Sequence, residues 1–268
     1  MTEPHLVVER DGHVMILTMN NPRRRNALTP SMLALMADAW QEIDADDDIR
    51  CAILTGSGSD YCVGGDLADG WMVKSARPSG SQTGSENRSA GSVLSEGLLL
   101  SRSLAKPLIA AVNGACLGGG CEMLQQTDIR IAEEQAIFGL PEATLGLIAG
   151  AGSTMRLKRQ IPYTKAMEMI LTGDPLTAAE AYHFGLVGHV VPTGTALDKA
   201  HALAARVCAN GPLAVRKAKA SVLATGWLDE ADARLIEQRF AKDVVSSADA
   251  REGLSAFAEK RIPRFSGA

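Results

Sequence analysis

The run Lys106-Pro107-Leu108-Ile109-Ala110-Ala111-Val112-Asn113-Gly114-Ala115-Cys116-Leu117-Gly118-Gly119-Gly120-Cys121-Glu122 decides how the chain is read. Residues 108–112 are apolar and lie between a proline and an Asn-Gly pair, which predicts a strand buried on both faces of a sheet. The glycines that follow mark the change from strand to turn to helix. Glycine there lets a ligand come close to the backbone, and N–H groups at a helix start point at an oxygen that becomes negative. The same glycines also serve where two segments simply pack tightly. Glu122 falls in the first turn of the expected helix, where a carboxylate suits the helix end and can act as a cap alone.

Working outward, residues 49–55 predict a second strand, stopped by Gly56-Ser57-Gly58. A second glycine cluster follows it, Tyr61-Cys62-Val63-Gly64-Gly65-Asp66-Leu67. Two backbone N–H groups converging from the two clusters would form an oxyanion hole. Residues 13–19 predict a strand that Asn20-Asn21-Pro22 breaks. Thr29-Pro30 then opens a helix with Thr29 as N-cap and Met32, Leu35, Met36, Ala39, Trp40 and Ile43 on its apolar face. Residues 44–48 end it as an acidic, solvated run. Residues 75–92 are Ser/Gly-rich without apolar periodicity and read either as a mobile lid near the site or as a disordered insertion. Short strands are expected at 129–132, 136–138 and 187–191, with a capping box at Thr177-x-x-Glu180 between the last two. From residue 195 the pattern is helical, over 195–210, 212–225, 228–246 and 250–261. The expected organisation is an α/β core over 1–194 and a helical region over 195–268.

With 268 residues and 46% hydrophobic content the chain can bury a large core. Lys plus Arg is 27 against 31 Asp plus Glu, a net charge of −4, which argues against general nucleic-acid binding. The apolar runs are far shorter than the ~20 residues of a membrane helix, and no basic segment followed by an apolar one opens the chain. Five cysteines without CxxC spacing (Cys51, Cys62, Cys116, Cys121, Cys208) read as reduced thiols of a cytoplasmic protein rather than a metal site. Neither GxGxxG nor GxxxxGK[ST] occurs, nor GxSxG or HExxH. What remains is the two glycine clusters, Glu122, and Glu142. The latter follows Gly139-Leu140-Pro141 at the next helix start, where it too can serve as a cap.

These stretches occur together with Asn26-Ala27-Leu28, Gly150-Ala151-Gly152-Ser153-Thr154, Arg156-Leu157, Leu171-Thr172-Gly173, Gly185-Leu186-Val187 and the segment 251–261. In that order they resemble the enoyl-CoA hydratase/isomerase (crotonase) superfamily over nearly the whole chain, and its hydratases most of all. The resemblance implies a crotonase-like spiral of ββα units with a C-terminal helical trimerisation region. It implies self-association as a trimer or a dimer of trimers, an acyl-CoA thioester substrate, and no metal or organic cofactor. By resemblance, Gly65 and Gly119 donate the oxyanion N–H groups, and Glu122 and Glu142 are the hydratase carboxylates. Gly150 lies by the water. Gly64, Asp66, Leu67, Ala68 and Gly118 line the substrate. Arg24, in the basic run Arg23-Arg24-Arg25, is placed near the nucleotide, although the run also reads as a solvated turn. Phe257 and Lys260 match a segment that reaches the nucleotide of a neighbouring subunit, although helix packing and a surface charge would explain them equally.

Departures are Gly65 where hydratases carry alanine, Ala149 where proline is common, and the long polar stretch 75–92 beside the acyl pocket. Two glutamates favour hydration over double-bond isomerisation or another acyl-CoA reaction. A non-catalytic acyl-CoA-binding protein is the least favoured alternative.

Overall fold

The computed structural model describes residues 4–67 and 90–268, so residue 68 and most of the expected 75–92 insertion lie outside the described residues. The strands are β1 (Leu6–Asp11), β2 (Val14–Met19), β3 (Cys51–Gly56), β4 (Leu108–Val112), β5 (Ala115–Leu117), β6 (Ile129–Glu133), β7 (Ile137–Gly139), β8 (Leu176–Thr177) and β9 (His189–Val191). Six of them form one sheet in the order β1-β2-β3-β4-β6-β9, parallel except for the β1–β2 hairpin. A smaller sheet, β5-β7-β8, stands beyond it.

The strand at 108–112 is buried at every position, as its sequence predicts. Alternate residues of the parallel strands feed two apolar layers. Met15, Leu17, Leu54, Ala110 and Val112 join the main core with helix α1 (Pro30–Ala45). Val14, Ile16, Ile53, Ile109 and Ala111 turn to the other side.

Thr29 caps α1 as expected, its Oγ1 accepting from Met32 N at 3.2 Å, with Pro30 in the first turn. Thr29→Ala is expected to lower stability by about 1 kcal/mol, seen as an earlier denaturation midpoint in urea. The buried face of α1 adds Leu33 and Ala37 to the expected set, whereas Leu35 is exposed. The stripe is centred one residue round from the position assigned to it, which leaves Leu35 on its flank. The acidic run at the end of α1 is exposed at Asp47 and Asp48, as expected, and also carries ion pairs: Asp44 with Arg102, Asp46 with Arg10 and Asp47 with Arg216.

Helix α2 (Ala90–Gly97) takes in the last residues of the segment expected to be a loop, and Trp40 Nε1 donates to Gly97 O at 2.9 Å. Further on come α3 (Gly119–Leu124), α4 (Ser153–Gln160), α5 (Tyr163–Thr172) and α6 (Ala178–His183), the last with the predicted Thr177–Glu180 capping box. The C-terminal helices are α7 (Ala196–Cys208), α8 (Pro212–Thr225), α9 (Glu230–Val245) and α10 (Ala248–Glu259). Helix α7 does not stand apart: its Ala196, Ala200 and Ala204 lie against the second apolar layer of the large sheet. The division expected at residue 195 therefore precedes a helix that closes the core.

Candidate active site

The two glycine clusters meet. Leu28 pairs in parallel with Gly65: Leu28 N donates to Gly64 O at 2.8 Å and Asp66 N to Leu28 O at 2.9 Å. In extended backbone, successive amides alternate in direction. The Gly65 N–H is thus turned away from Leu28, and a Cβ on Gly119 would lie 3.8 Å from Gly65 N. Gly64, at φ +93°, also lies close to the cluster at 117–120, since a Cβ there would stand 3.1 Å from both Gly119 N and Leu117 O. Gly119 opens α3, so its N–H has no acceptor within the helix. Among the described residues no hydrogen bond takes up the N–H of Gly65 or Gly119.

The basic run beside the first cluster holds that turn in place. Arg25 grips Asp60 with two hydrogen bonds of 2.9 Å, and the buried Asn26 donates to Ser57 O and Asp60 O at 2.8 and 2.7 Å. Arg24 Nη2 lies 2.6 Å from the buried Asp66 carboxylate, with half its side chain exposed. Asp66 therefore holds Arg24 from inside, and Leu67 is exposed at the end of the described segment.

Glu122 projects from α3 into a site where it is only 4% exposed. Its Oε1 accepts from Ser153 N at 3.3 Å, and the Ala151 N–H also supports it. Ser153 is in turn fixed by Gln125 Nε2, which donates to Ser153 Oγ at 2.6 Å and to Cys121 O at 3.1 Å. Glu142 lies in a short 3-10 turn (Pro141–Leu145) that Gly146 closes in a left-handed conformation. Gly118 makes the room between the turns: at φ +50°, a Cβ on it would come within 3.2 Å of Glu142 Oε1. Glu142 Oε2 is buried without a hydrogen-bond partner among the described residues.

The two carboxyls share one environment. Burial raises Glu122 to about 7, and the negative charge of Glu142 pushes in the same direction. Ser153 N–H, Ala151 N–H and the Arg156 cation pull the other way. Burial also raises Glu142 above the ordinary carboxylate range, while its own N–H lowers it. Such an arrangement holds a proton near neutrality, so one group can give a proton while the other takes one. Gly150 lies exposed at the edge of the same region, and Leu145, Leu147 and Ile148 expose apolar side chains beside Glu142.

The structure thus brings together Gly64, Gly65, Gly118, Gly119, Glu122 and Glu142. Phe257 and Lys260 instead lie at the end of α10, with Phe257 87% exposed. Sequence reasoning gave no role to Ser153, Gln125 or Arg156, whose work shows only once α4 is placed beside Glu122. A separate cleft of about 430 Å³ between residues 103–105 and helices α8 and α9 contains none of these groups. Its cations Arg216, Lys217 and Lys219 are each paired with an aspartate. Among the described residues no group of three or more His, Cys, Asp or Glu is placed to hold a metal ion.

Comparison with known proteins converges on one family. The sequence profile of the family described as Enoyl-CoA hydratase/isomerase matches residues 9–268. The enoyl-CoA hydratase EchA19 of Mycobacterium tuberculosis is 48% identical over 262 residues, 98% of this chain and 96% of that protein. The 2,3-dehydroadipyl-CoA hydratase of Escherichia coli is 35% identical over 264 residues, 98% of each. Among solved structures, an enoyl-CoA hydratase from Mycobacterium tuberculosis superposes with a TM-score of 0.88 at 38% identity, covering 99% of this chain and 100% of that one.

Proposed function

The chain belongs to the enoyl-CoA hydratase/isomerase family, and from that premise we propose that it adds water across the 2,3 double bond of a 2-enoyl-CoA to give a 3-hydroxyacyl-CoA. The observation that carries this reading is the pair of carboxyls, the buried Glu122 and the half-buried Glu142, beside two N–H groups unengaged among the described residues. As water attacks C3, negative charge builds on the thioester oxygen. The N–H groups of Gly65 and Gly119 stabilise that charge. Glu122 positions the water and takes its proton, the oxygen bonds to C3, and Glu142 delivers a proton to C2. The sum is H and OH added across the double bond, with the glutamates exchanging a proton with solvent between turnovers. No metal or organic cofactor is needed, because coenzyme A arrives as part of the substrate.

The substrate-side contacts follow the same reading. Gly64, Asp66, Leu67, Gly118 and Gly150 surround the thioester and the water. The half-exposed Arg24 suits a phosphate of the nucleotide. Phe257 and Lys260 reach the nucleotide bound by a neighbouring copy. Self-association as a trimer or a dimer of trimers is supported by the apolar side chains that the C-terminal segment leaves exposed, among them Leu235, Val245, Leu254 and Ile262. Among the described residues no helix is long and apolar enough to cross a membrane, and all five cysteines are free thiols, which agrees with a cytoplasmic location.

Purified protein mixed with 2-enoyl-CoA thioesters of graded chain length is expected to remove the conjugated-thioester absorbance and yield 3-hydroxyacyl-CoA. Products with only a shifted double bond would point to isomerisation, and tight binding without turnover to a binding protein. The same assay carries a pH prediction. The singly protonated pair, with one acid and one base, exists from the raised value of Glu142 up to about 7. Above about 7, the value to which burial and the charge of Glu142 raise Glu122, the pair loses its last shared proton and with it the form that holds one acid and one base, so kcat/KM is expected to decline as pH rises through that value.

A further inference from the structure

We infer that Gln125 is a positioning residue for Glu122: by donating to Ser153 Oγ it pins the start of α4 to α3, which keeps the Ser153 N–H on the Glu122 carboxyl. The inference rests on the reading of Glu122 as one of the reacting acids.

Spacing sets the geometry. Glu122 and Gln125 stand three positions apart, and Gln125 continues the helical turn of α3 at φ −66° and ψ −8°. Side chains so spaced share a helix face. Both reach the same residue of α4. Glu122 Oε1 accepts from Ser153 N at 3.3 Å, and Gln125 Nε2 donates to Ser153 Oγ at 2.6 Å. One residue of α4 is thus held at two points by α3. Gln160 Nε2, at the far end of α4, donates to Gln125 O at 2.9 Å, so Gln125 meets both ends of that helix.

The start of α4 has little else to fix it. Its N-cap is Gly152, at φ +120°, and no side chain caps the helix. The run Gly150-Ala151-Gly152 that leads in carries two glycines, whose backbone has many conformations open to it. The bond from Ser153 N to Glu122 is already long, so a shift of about half an ångström at the helix start breaks it.

Burial is the second observation. Gln125 and Ser153 are both buried, and Gln125 Oε1 has no hydrogen-bond partner among the described residues. A buried acceptor left unpaired is costly, and an apolar side chain of similar size would avoid that cost. What Gln125 supplies and an apolar residue lacks is its pair of N–H donors. One goes to Cys121 O of its own helix at 3.1 Å and the other to Ser153. The charged groups that face Glu122 are Glu142 on the 3-10 turn and Arg156 on α4, and the Ser153 and Ala151 N–H groups also support it. Among the described residues the hydrogen bonds of the Gln125 side chain go to neither Glu142 nor Arg156. Replacing Gln125 therefore leaves both charges in place and changes only the seat of the Ser153 N–H.

The test follows the glutamate carboxyl carbons by NMR across pH in full-length protein labelled with ¹³C at glutamate. The Glu122 signal, identified by its loss in Glu122→Gln, is expected to titrate at about 7. An N–H on a carboxylate favours the charged form, so weakening that bond raises the titration. In Gln125→Met it is expected to move up by about 0.5–1 pH unit, with kcat for a 2-enoyl-CoA falling about 3–10-fold and KM little changed. Ser153→Ala keeps the N–H but removes the oxygen that Gln125 holds. It is expected to give the same two changes, and the double variant no more than either alone. Circular dichroism shows which variants fold, and should Gln125→Met fail to, Ser153→Ala carries the test. A Glu122 titration at its wild-type value in a folded variant overturns the inference even if activity drops, because a side chain needed only for packing would leave it there. Additive effects in the double variant overturn it too, since the two residues would then act separately. Titration needs no turnover. A chain that hydrates no enoyl thioester yet shows the shift would refute the proposed reaction and leave the clamp of Gln125 and Ser153 on Glu122 standing.

Discussion

Glu142→Gln is expected to lower kcat for hydration of a short 2-enoyl-CoA by about 10²–10⁴-fold while KM changes little. The amide matches the carboxyl in size, so the room beside Gly118, where a Cβ would come within 3.2 Å of Glu142 Oε1, is filled as before and the 3-10 turn has no reason to move. What disappears is the ability to carry a transferable proton. The substitution also removes the repulsion that Glu142 exerts on Glu122, so Glu122 is expected to titrate below about 7 in this variant. Steady-state kinetics and carboxyl titration together separate a lost proton donor from a disturbed fold. Wild-type kcat in the folded variant would remove Glu142 from the chemistry.

Gly119→Pro tests the other half of the site with a comparable effect, about 10²–10³-fold in kcat, because it deletes one N–H aimed at the developing oxyanion. Proline is well tolerated at the first position of a helix, where its missing N–H has no intrahelical partner. The residue before it is Gly118, whose freedom from a Cβ eases the restriction proline places on its predecessor. The added ring meets Leu28 Cδ1, which a Cβ alone would approach to 3.1 Å, so a modest stability loss accompanies the change. Circular dichroism and thermal denaturation measure that loss, and kcat on the folded fraction measures the donor. Unaltered kcat would show that the Gly119 N–H faces no charge in the transition state.

What could be read from the letters follows the range of the forces involved. Strand β4 was legible because a short apolar run between Pro107 and Asn113 has few other outcomes. The caps at Thr29 and Thr177 were legible because capping is local chemistry. Strands β1, β5 and β8 were not, since a mixed polar edge and runs of two or three residues owe their form to partners distant in sequence. Leu35 was misplaced because the buried stripe of α1 depends on how the helix is rotated against its neighbours.

The site divides in the same way. Glu122 and Glu142 drew attention as acids beside glycine turns, and family resemblance supplied their partnership. Ser153, Gln125 and Arg156 act through contacts between α3 and α4 that no spacing announces. Arg24 was placed near the nucleotide by resemblance or in a solvated turn, and its partner Asp66, in the glycine cluster at 61–67, was not foreseen.

Three alanines of α7, at positions 196, 200 and 204, keep water from one side of a sheet whose second strand begins at Val14. A polypeptide emerging from its N-terminus can thus form the opposite side early, but the side carrying Val14 and Ile16 stays wet until synthesis has passed Cys208. The start of the chain waits on a segment near its other end, and that long closure, rather than any local turn, is where slow folding and stickiness of unfinished chains would arise.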